Sequence, residues 1–188
     1  MLIQRSALFY CHQRAGAHFV THHGWQMPDV FSSLDEEVAL VTSGVGIADV
    51  SYRIKYDTRI QPAGPGWSLG FGHFLVVSEP PLDPPEGATD VTSVYADLLM
   101  AGPFSREVLG KLSSLNLSNE SLPNLSCVQG SVAHVHTILR REDLGSMPAF
   151  HLLVSREYAE SVWQIILQSG REFQANPFGM KALQSLRG

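Results

Sequence analysis

Eight histidines offer the first possibility of chemistry in this chain: His12, His18, His22, His23, His73, His134, His136 and His151. Imidazole binds metals and exchanges protons near neutral pH. His134 and His136 stand two apart in an apolar stretch, and on a strand that spacing puts both on one face. A zinc-type site needs three or four ligands, and the pattern supplies no third. His22-His23 lies in a stretch punctuated by Gly24 and Pro28, which reads as a solvated loop over His22–Pro28. No metal site is therefore expected. Adjacent carboxylates occur at Asp35-Glu36-Glu37 and Glu142-Asp143. The first group follows Ser33 at capping-box spacing, and negative charge there suits a helix N-terminus. The second follows Arg140-Arg141 and reads as an exposed loop. Cys11 adjoins His12, but successive residues on a helix point apart, so no thiol–imidazole dyad is expected. Neither a Gly-x-Ser-x-Gly elbow nor a Gly-rich phosphate loop is present.

The elements that would position these groups follow from apolar spacing. A first helix is expected over Met1–Ala15, stopped by Gly16, then a short strand at Ala17–Val20. A second helix starts after Ser33, with Leu34, Val38 and Val41 inward, and ends at Gly44. Gly46–Ser51 reads as a buried turn into a strand. Ser51–Asp57 and Phe74–Ser78 are strands, separated by a Gly- and Pro-rich stretch at Gln61–Gly72. Glu79–Gly87 holds four prolines and reads as a stiff connector. Tyr95–Met100 is an apolar strand, and Ser105 caps a helix running through Leu112. Cys127–Val135 and His136–Arg141 form paired strands, and Ala149–Val154 another. Ser155 caps a helix that buries Tyr158, Val162, Trp163, Ile166 and Leu167. Pro177 opens a last helix with Met180, Leu183 and Leu186 inward. This irregular alternation predicts an α+β fold with a largely antiparallel sheet.

Composition narrows the class. The chain has 188 residues, 44% hydrophobic and 16% charged, with a net charge of −5. That is an ordinary globular mixture large enough for a core without staples. The acidic balance argues against nucleic acid and anionic membrane surfaces as partners. No apolar run approaches the roughly 20 residues of a membrane span. The start of the chain lacks a signal pattern, and two distant cysteines read as reduced thiols, so a cytoplasmic protein is expected.

Four segments share one order. They are His12-Gln13-Arg14-Ala15-Gly16-Ala17-His18-Phe19, Gly24-Trp25-Gln26-Met27-Pro28, Ser32-Ser33-Leu34-Asp35-Glu36-Glu37 and Gly46-Ile47-Ala48-Asp49-Val50-Ser51. They resemble the opening of the glycine cleavage T-protein (aminomethyltransferase) family, which reads H-x-x-x-G-A-x-F, G-W-x-M-P, S-x-x-x-E-H and G-x-F-D-V-S. Ala101-Gly102-Pro103 with the following helix resembles its Q-G-P step. Gly179-Met180-Lys181-Ala182-Leu183-Gln184-Ser185-Leu186-Arg187 resembles its G-L-x-A-x-D-S-L-R. The second half, with Pro148-Ala149-Phe150-His151-Leu152-Leu153-Val154, also resembles the gamma subunit of heterotetrameric sarcosine oxidase.

The resemblance implies a single folate-binding lobe over residues 1–188, with an insert shortened to about 56–88. It implies tetrahydrofolate or another small molecule as ligand, no metal, and a role in one-carbon and glycine metabolism. It also implies a homodimer or a place in a larger enzyme, because the face that further lobes cover in longer relatives would be bare. The family's folate-site residues carry over poorly. Its aspartate falls in the shortened insert, and Asp97 only imitates that D-D-L step. Its glutamates fall on Met147 and His151, and its arginine on Leu183. No catalytic residue is therefore expected. The candidate ligand contacts are Trp25 and Met27, large apolar groups in the expected loop, with Arg141 and His151. Trp25 and Met27 could equally pack locally beneath the helix from Ser33.

Overall fold

The computed structural model describes residues 3–188. In chain order the elements are β1 (Gln4–Arg5), α1 (Phe9–Arg14), β2 (His18–His22), β3 (Trp25–Val30), α2 (Leu34–Ser43), β4 (Gly46–Asp49), β5 (Ile54–Thr58) and β6 (Trp67–Gly70). There follow β7 (His73–Ser78), β8 (Thr89–Asp90), β9 (Tyr95–Ala101), α3 (Ser105–Leu112), β10 (Cys127–Val132), β11 (Val135–Arg141) and β12 (Ala149–Ser155). The chain ends with α4 (Ala159–Ser169), β13 (Asn176–Pro177) and α5 (Met180–Arg187). The fold is α+β, as the pattern predicted. A six-stranded sheet runs β10-β11-β12-β9-β4-β13, antiparallel except where β13 meets β4. A four-stranded sheet, β6-β7-β5-β8, and a three-stranded one, β1-β3-β2, flank it.

The period of two along the central strands sorts the core. Ala96, Leu98 and Met100 of β9, with Phe150, Leu152 and Val154 of β12, face α3 and α4. Leu99, Ala101 and Ala149 face the other way, into a cluster with Trp25, Met27, Val41, Tyr52, Phe178 and Leu183. Both clusters draw on the N-terminal segments and on the second half of the chain. Further along that second face, Leu153 and Ile138 pack on Leu75 beneath the four-stranded sheet. Helix α2 starts as its sequence indicates: the Ser33 hydroxyl accepts the Glu36 N–H at 3.3 Å. Gly102 sits at φ +130° where a Cβ would lie 2.3 Å from the Gly44 carbonyl oxygen, so only glycine lets β9 turn against the end of α2.

Several boundaries differ from the sequence reading. The first helix is short: Gln4–Arg5 pairs in parallel with β3, and the Ser6 hydroxyl accepts the Leu8 N–H in the turn before α1. Met1 and Leu2 lie outside the described residues. The expected loop His22–Pro28 is largely strand β3. Pro28 is tolerated because β1 pairs only with Trp25 and Gln26, leaving that side of β3 open further along. The Gly- and Pro-rich stretch contains strand β6, folded back on β7. Ser105 lies inside α3, and its hydroxyl donates to the Gly102 carbonyl instead of capping. Ser155 makes no side-chain cap either; a single 3-10 turn, Arg156–Tyr158, leads into α4. The β10–β11 turn falls at Ala133-His134, both at positive φ (51° and 64°). His134 is therefore a turn residue and does not share a strand face with His136.

Candidate functional site

The same alternation that builds the core also gathers charge. Asp97 on β9, His151 on β12 and Arg140 on β11 all lie on the face opposite α3 and α4. Arg140 is directly across from His151, and Asp97 lies one pair diagonal to it, opposite Leu153. All three are at most 1% exposed. His151 Nδ1 stands 2.9 Å from Asp97 Oδ1, and Arg140 Nη2 donates to Asp97 Oδ2 at 3.2 Å. Lys55 of β5 is fully buried nearby, its ammonium donating to the carbonyls of Ser51 (3.0 Å) and Arg53 (2.8 Å). Arg53 Nη1 reaches His151 Nε2 at 3.5 Å and Glu142 Oε2 at 3.4 Å.

These neighbours set the protonation states. Burial disfavours the imidazolium of His151 and, with Arg140 and Arg53 beside it, holds its pKa down at about 4 despite Asp97. Burial also works against the charge on Asp97, but His151, Arg140 and Lys55 outweigh it and hold the carboxyl well below its usual range. At neutral pH the pair is an aspartate and a neutral imidazole. The aspartate fixes the tautomer with hydrogen on Nδ1, so Nε2 is the acceptor. Burial lowers Lys55 to about 8. Among the described residues Arg140 Nε and Nη1 find no hydrogen-bond acceptor, but the guanidinium lies 4.8 Å from the centre of the Trp67 ring, whose π face takes up part of that deficit. Glu142 is drawn down by Arg53 and His151 against the opposing effect of burial.

A cavity of about 220 Å³ opens at this cluster, lined by Glu142, Asp143, Leu144, Gly145, His151 and Arg187. Chemically it offers an oriented imidazole acceptor, two carboxylates and a guanidinium. A larger groove of about 880 Å³ lies elsewhere, between α2 and α4, and brings no comparable buried cluster together.

Residues 82–188, more than half of the chain, match the family model described as the GCVT N-terminal domain. The chain belongs to that family. An aminomethyltransferase from Acidobacterium capsulatum is 25% identical over 98% of this chain and 62% of its own length. One from Geobacillus thermodenitrificans is 27% identical over 99% and 64%. The chain thus spans a little under two thirds of the length of these curated relatives. Its fold matches the aminomethyltransferase T of the glycine cleavage system from Bartonella henselae, at a TM-score of 0.77 and 16% identity over 98% of this chain and 62% of the other. It also matches a chain of the heterotetrameric sarcosine oxidase from Corynebacterium sp. U-96, with a TM-score of 0.61 and 16% identity, over 76% of this chain and 93% of that one.

Within this GCVT-family lobe the four sequence candidates do not meet. Trp25 and Met27 lie on β3 in the second core cluster, 7% and 0% exposed, and the void beside Trp25 is about 10 Å³. Arg141 points to the opposite face of the sheet from His151. It grips Asp143 with Nε at 3.0 Å and Nη2 at 2.8 Å, and Nη1 donates to Asn119 and Leu122. Only His151 lines the 220 Å³ cavity. Arg140, Lys55, Arg53 and Asp97 join it instead, a grouping that the linear sequence does not display. The available signal was strand register: once Leu139 and Leu152 face one core, Arg140 and His151 must face the other. Leu183 is fully buried, and Met147 packs against the same apolar cluster.

Proposed function

We propose that this chain is a folate lobe of the aminomethyltransferase family, one domain with a shortened insert at about 56–88, whose own transfer chemistry has degenerated. It would serve tetrahydrofolate-linked one-carbon and glycine metabolism in the cytoplasm, where its two free cysteines fit a reducing environment. The observation that carries this reading is the cavity at His151. At about 220 Å³ it is smaller than the roughly 300–1,000 Å³ typical of small-molecule sites. The expected pterin-reading positions hold Met147, His151 and Leu183. A carboxylate accepts twice from a pterin edge, whereas neutral His151 offers one acceptor at Nε2. Asp97, the one aspartate resembling the family's folate-orienting residue, is sealed between His151 and Arg140. Calorimetry with tetrahydrofolate, paired with an aminomethyl-transfer assay using a lipoyl-bound donor, tests the reading. Weak or no binding and no turnover are expected; turnover at the rate of full-length aminomethyltransferases overturns it.

A second reading is a non-catalytic subunit of a multi-subunit enzyme. It is favoured by the 93% coverage of the sarcosine oxidase chain. Light scattering that shows a homodimer, or a stable complex with a partner subunit, supports this reading; a monomer at high concentration counts against it.

A further inference from the structure

The β2–β3 turn and the start of the Pro-rich connector bring His22, His23 and Glu79 together, with one ligand atom of each within 4.8 Å of the others. We propose that these three side chains bind a borderline divalent cation of the zinc type. A tetrahedral ion with bonds of about 2.1 Å spaces its ligands by about 3.4 Å. Closing from the present separation takes small side-chain rotations at a turn and at a half-exposed glutamate. The turn is built for this. His22 pairs with Trp25, so His23-Gly24 is a two-residue hairpin connection, with φ of 47° and 80°. Both imidazoles are thereby thrown to the same side, their ring centres 4.4 Å apart.

The surroundings supply the outer contacts that metal sites need. Tyr52, 1% exposed, stacks under His23 at 14° and meets the edge of His22 at 4.6 Å. Its hydroxyl is buried, makes no hydrogen bond within normal geometry among the described residues, and faces Glu79. There it is placed to donate to the carboxylate or to a metal-bound water. Arg187 Nη1 stands 3.0 Å and Arg53 Nε 3.7 Å from Glu79 Oε1, which orients the carboxylate and leaves Oε2 for the ion. The two guanidinium groups also cancel the charge that a hard cation would seek. Affinity must then come from the imidazoles, which selects zinc, nickel or copper over magnesium or calcium.

Titration of the full chain with Zn²⁺, against a chromophoric chelator, tests the site. One equivalent should bind, and Mg²⁺ or Ca²⁺ should not compete. His22→Gln and Glu79→Gln should each weaken binding at least tenfold. His23→Asn, which tolerates the left-handed turn, should do the same, with circular dichroism melts confirming an intact fold. His136→Gln, a solvent-exposed histidine on β11, should leave binding unchanged. No binding, or affinity that survives His22→Gln and Glu79→Gln, overturns the proposal.

Discussion

Two buried histidine–aspartate pairs sit on opposite faces of the central sheet, and their surroundings make them different devices. His12 Nε2 meets Asp49 Oδ2 at 3.1 Å, with both residues 3% exposed or less. The His12 ring is held edge-on by Trp163 at 4.9 Å and by Phe31 at 5.6 Å. Asp49 completes its shell with the Ser51 amide and hydroxyl, and among the described residues no arginine or lysine pairs with it. This pair is a clip that ties α1 to β4. His151–Asp97 has nearly the same distance, but guanidinium groups, an ammonium and a cavity mouth surround it. A buried His–Asp contact therefore does not by itself mark a reactive site. The charge around it and the access to its second nitrogen do.

Replacing the two aspartates should separate the pairs most sharply. Asp97→Asn leaves Arg140, Arg53 and Lys55 facing one another without their central anion. Breaking a buried pair in this way typically costs about 3–5 kcal/mol, partly relieved as Lys55, already near 8, gives up its proton. Asp49→Asn leaves no such cluster, and the loss should be about 1–3 kcal/mol, the penalty of an imperfectly satisfied polar group. Urea unfolding of both variants measures the difference. Equal losses would show that the cations around Asp97 do not need it.

Acid should act mainly through the open pair. The pKa of His151 falls from 6.5 unfolded to about 4 folded, so between those values the unfolded chain binds the extra proton. Stability should therefore fall as pH drops from about 6.5 towards 4. The loss reaches up to about 3 kcal/mol, because each tenfold change in proton affinity is worth about 1.4 kcal/mol. Asp97 and Glu142 are depressed carboxylates, and their contributions begin to be lost only as pH falls through the usual carboxylate range, at the acid end of this window and below it. His22 is lowered too and adds in the same direction. His151→Asn keeps a donor for Asp97 and removes the titrating ring. Its stability profile over this window should be visibly flatter than that of the unmodified protein. A profile that keeps the full acid limb would place the titrating group elsewhere.

Much of the scaffold was legible from composition and spacing: the Ser33 cap, the Gly44 stop, the β9 strand into Gly102-Pro103, and the β10–β11 hairpin. These are local signals, read over a few residues. The misreadings had tertiary causes. Trp25–Val30 became a strand because β2 and β1 pair with it, which no local rule requires. The site was only half legible. His151 could be singled out, but its partners Asp97, Arg140 and Lys55 come from three other strands. Their meeting depends on register, which turn positions such as Ala133-His134 set. Of the adjacent arginines, Arg140 rather than Arg141 turns toward His151, and a one-residue slip would exchange them.

The smallest effect asks whether the two pairs are independent. Ser51 joins them: its hydroxyl donates to Asp49 Oδ1 at 2.6 Å and accepts the Asp97 N–H at 3.1 Å. Ser51→Ala removes both contacts and orphans a buried amide, a loss of about 1–2 kcal/mol. The bridge also makes a quantitative claim about coupling. If it carries strain between the faces, Asp49→Asn and Asp97→Asn will be non-additive, with a coupling of about 0.5 kcal/mol or more. In the Ser51→Ala background that coupling should vanish, because the remaining separation runs through the packed sheet. The geometry favours a real but modest value, since Asp97 uses the bridge through its backbone while its carboxylate is committed to His151 and Arg140. Additivity in both backgrounds would make Ser51 a local turn-former and leave the two pairs as separate stabilising units. Strong coupling that persists without the hydroxyl would instead place the connection in the β4–β9 backbone pairing itself, where Asp49 lies opposite Leu98.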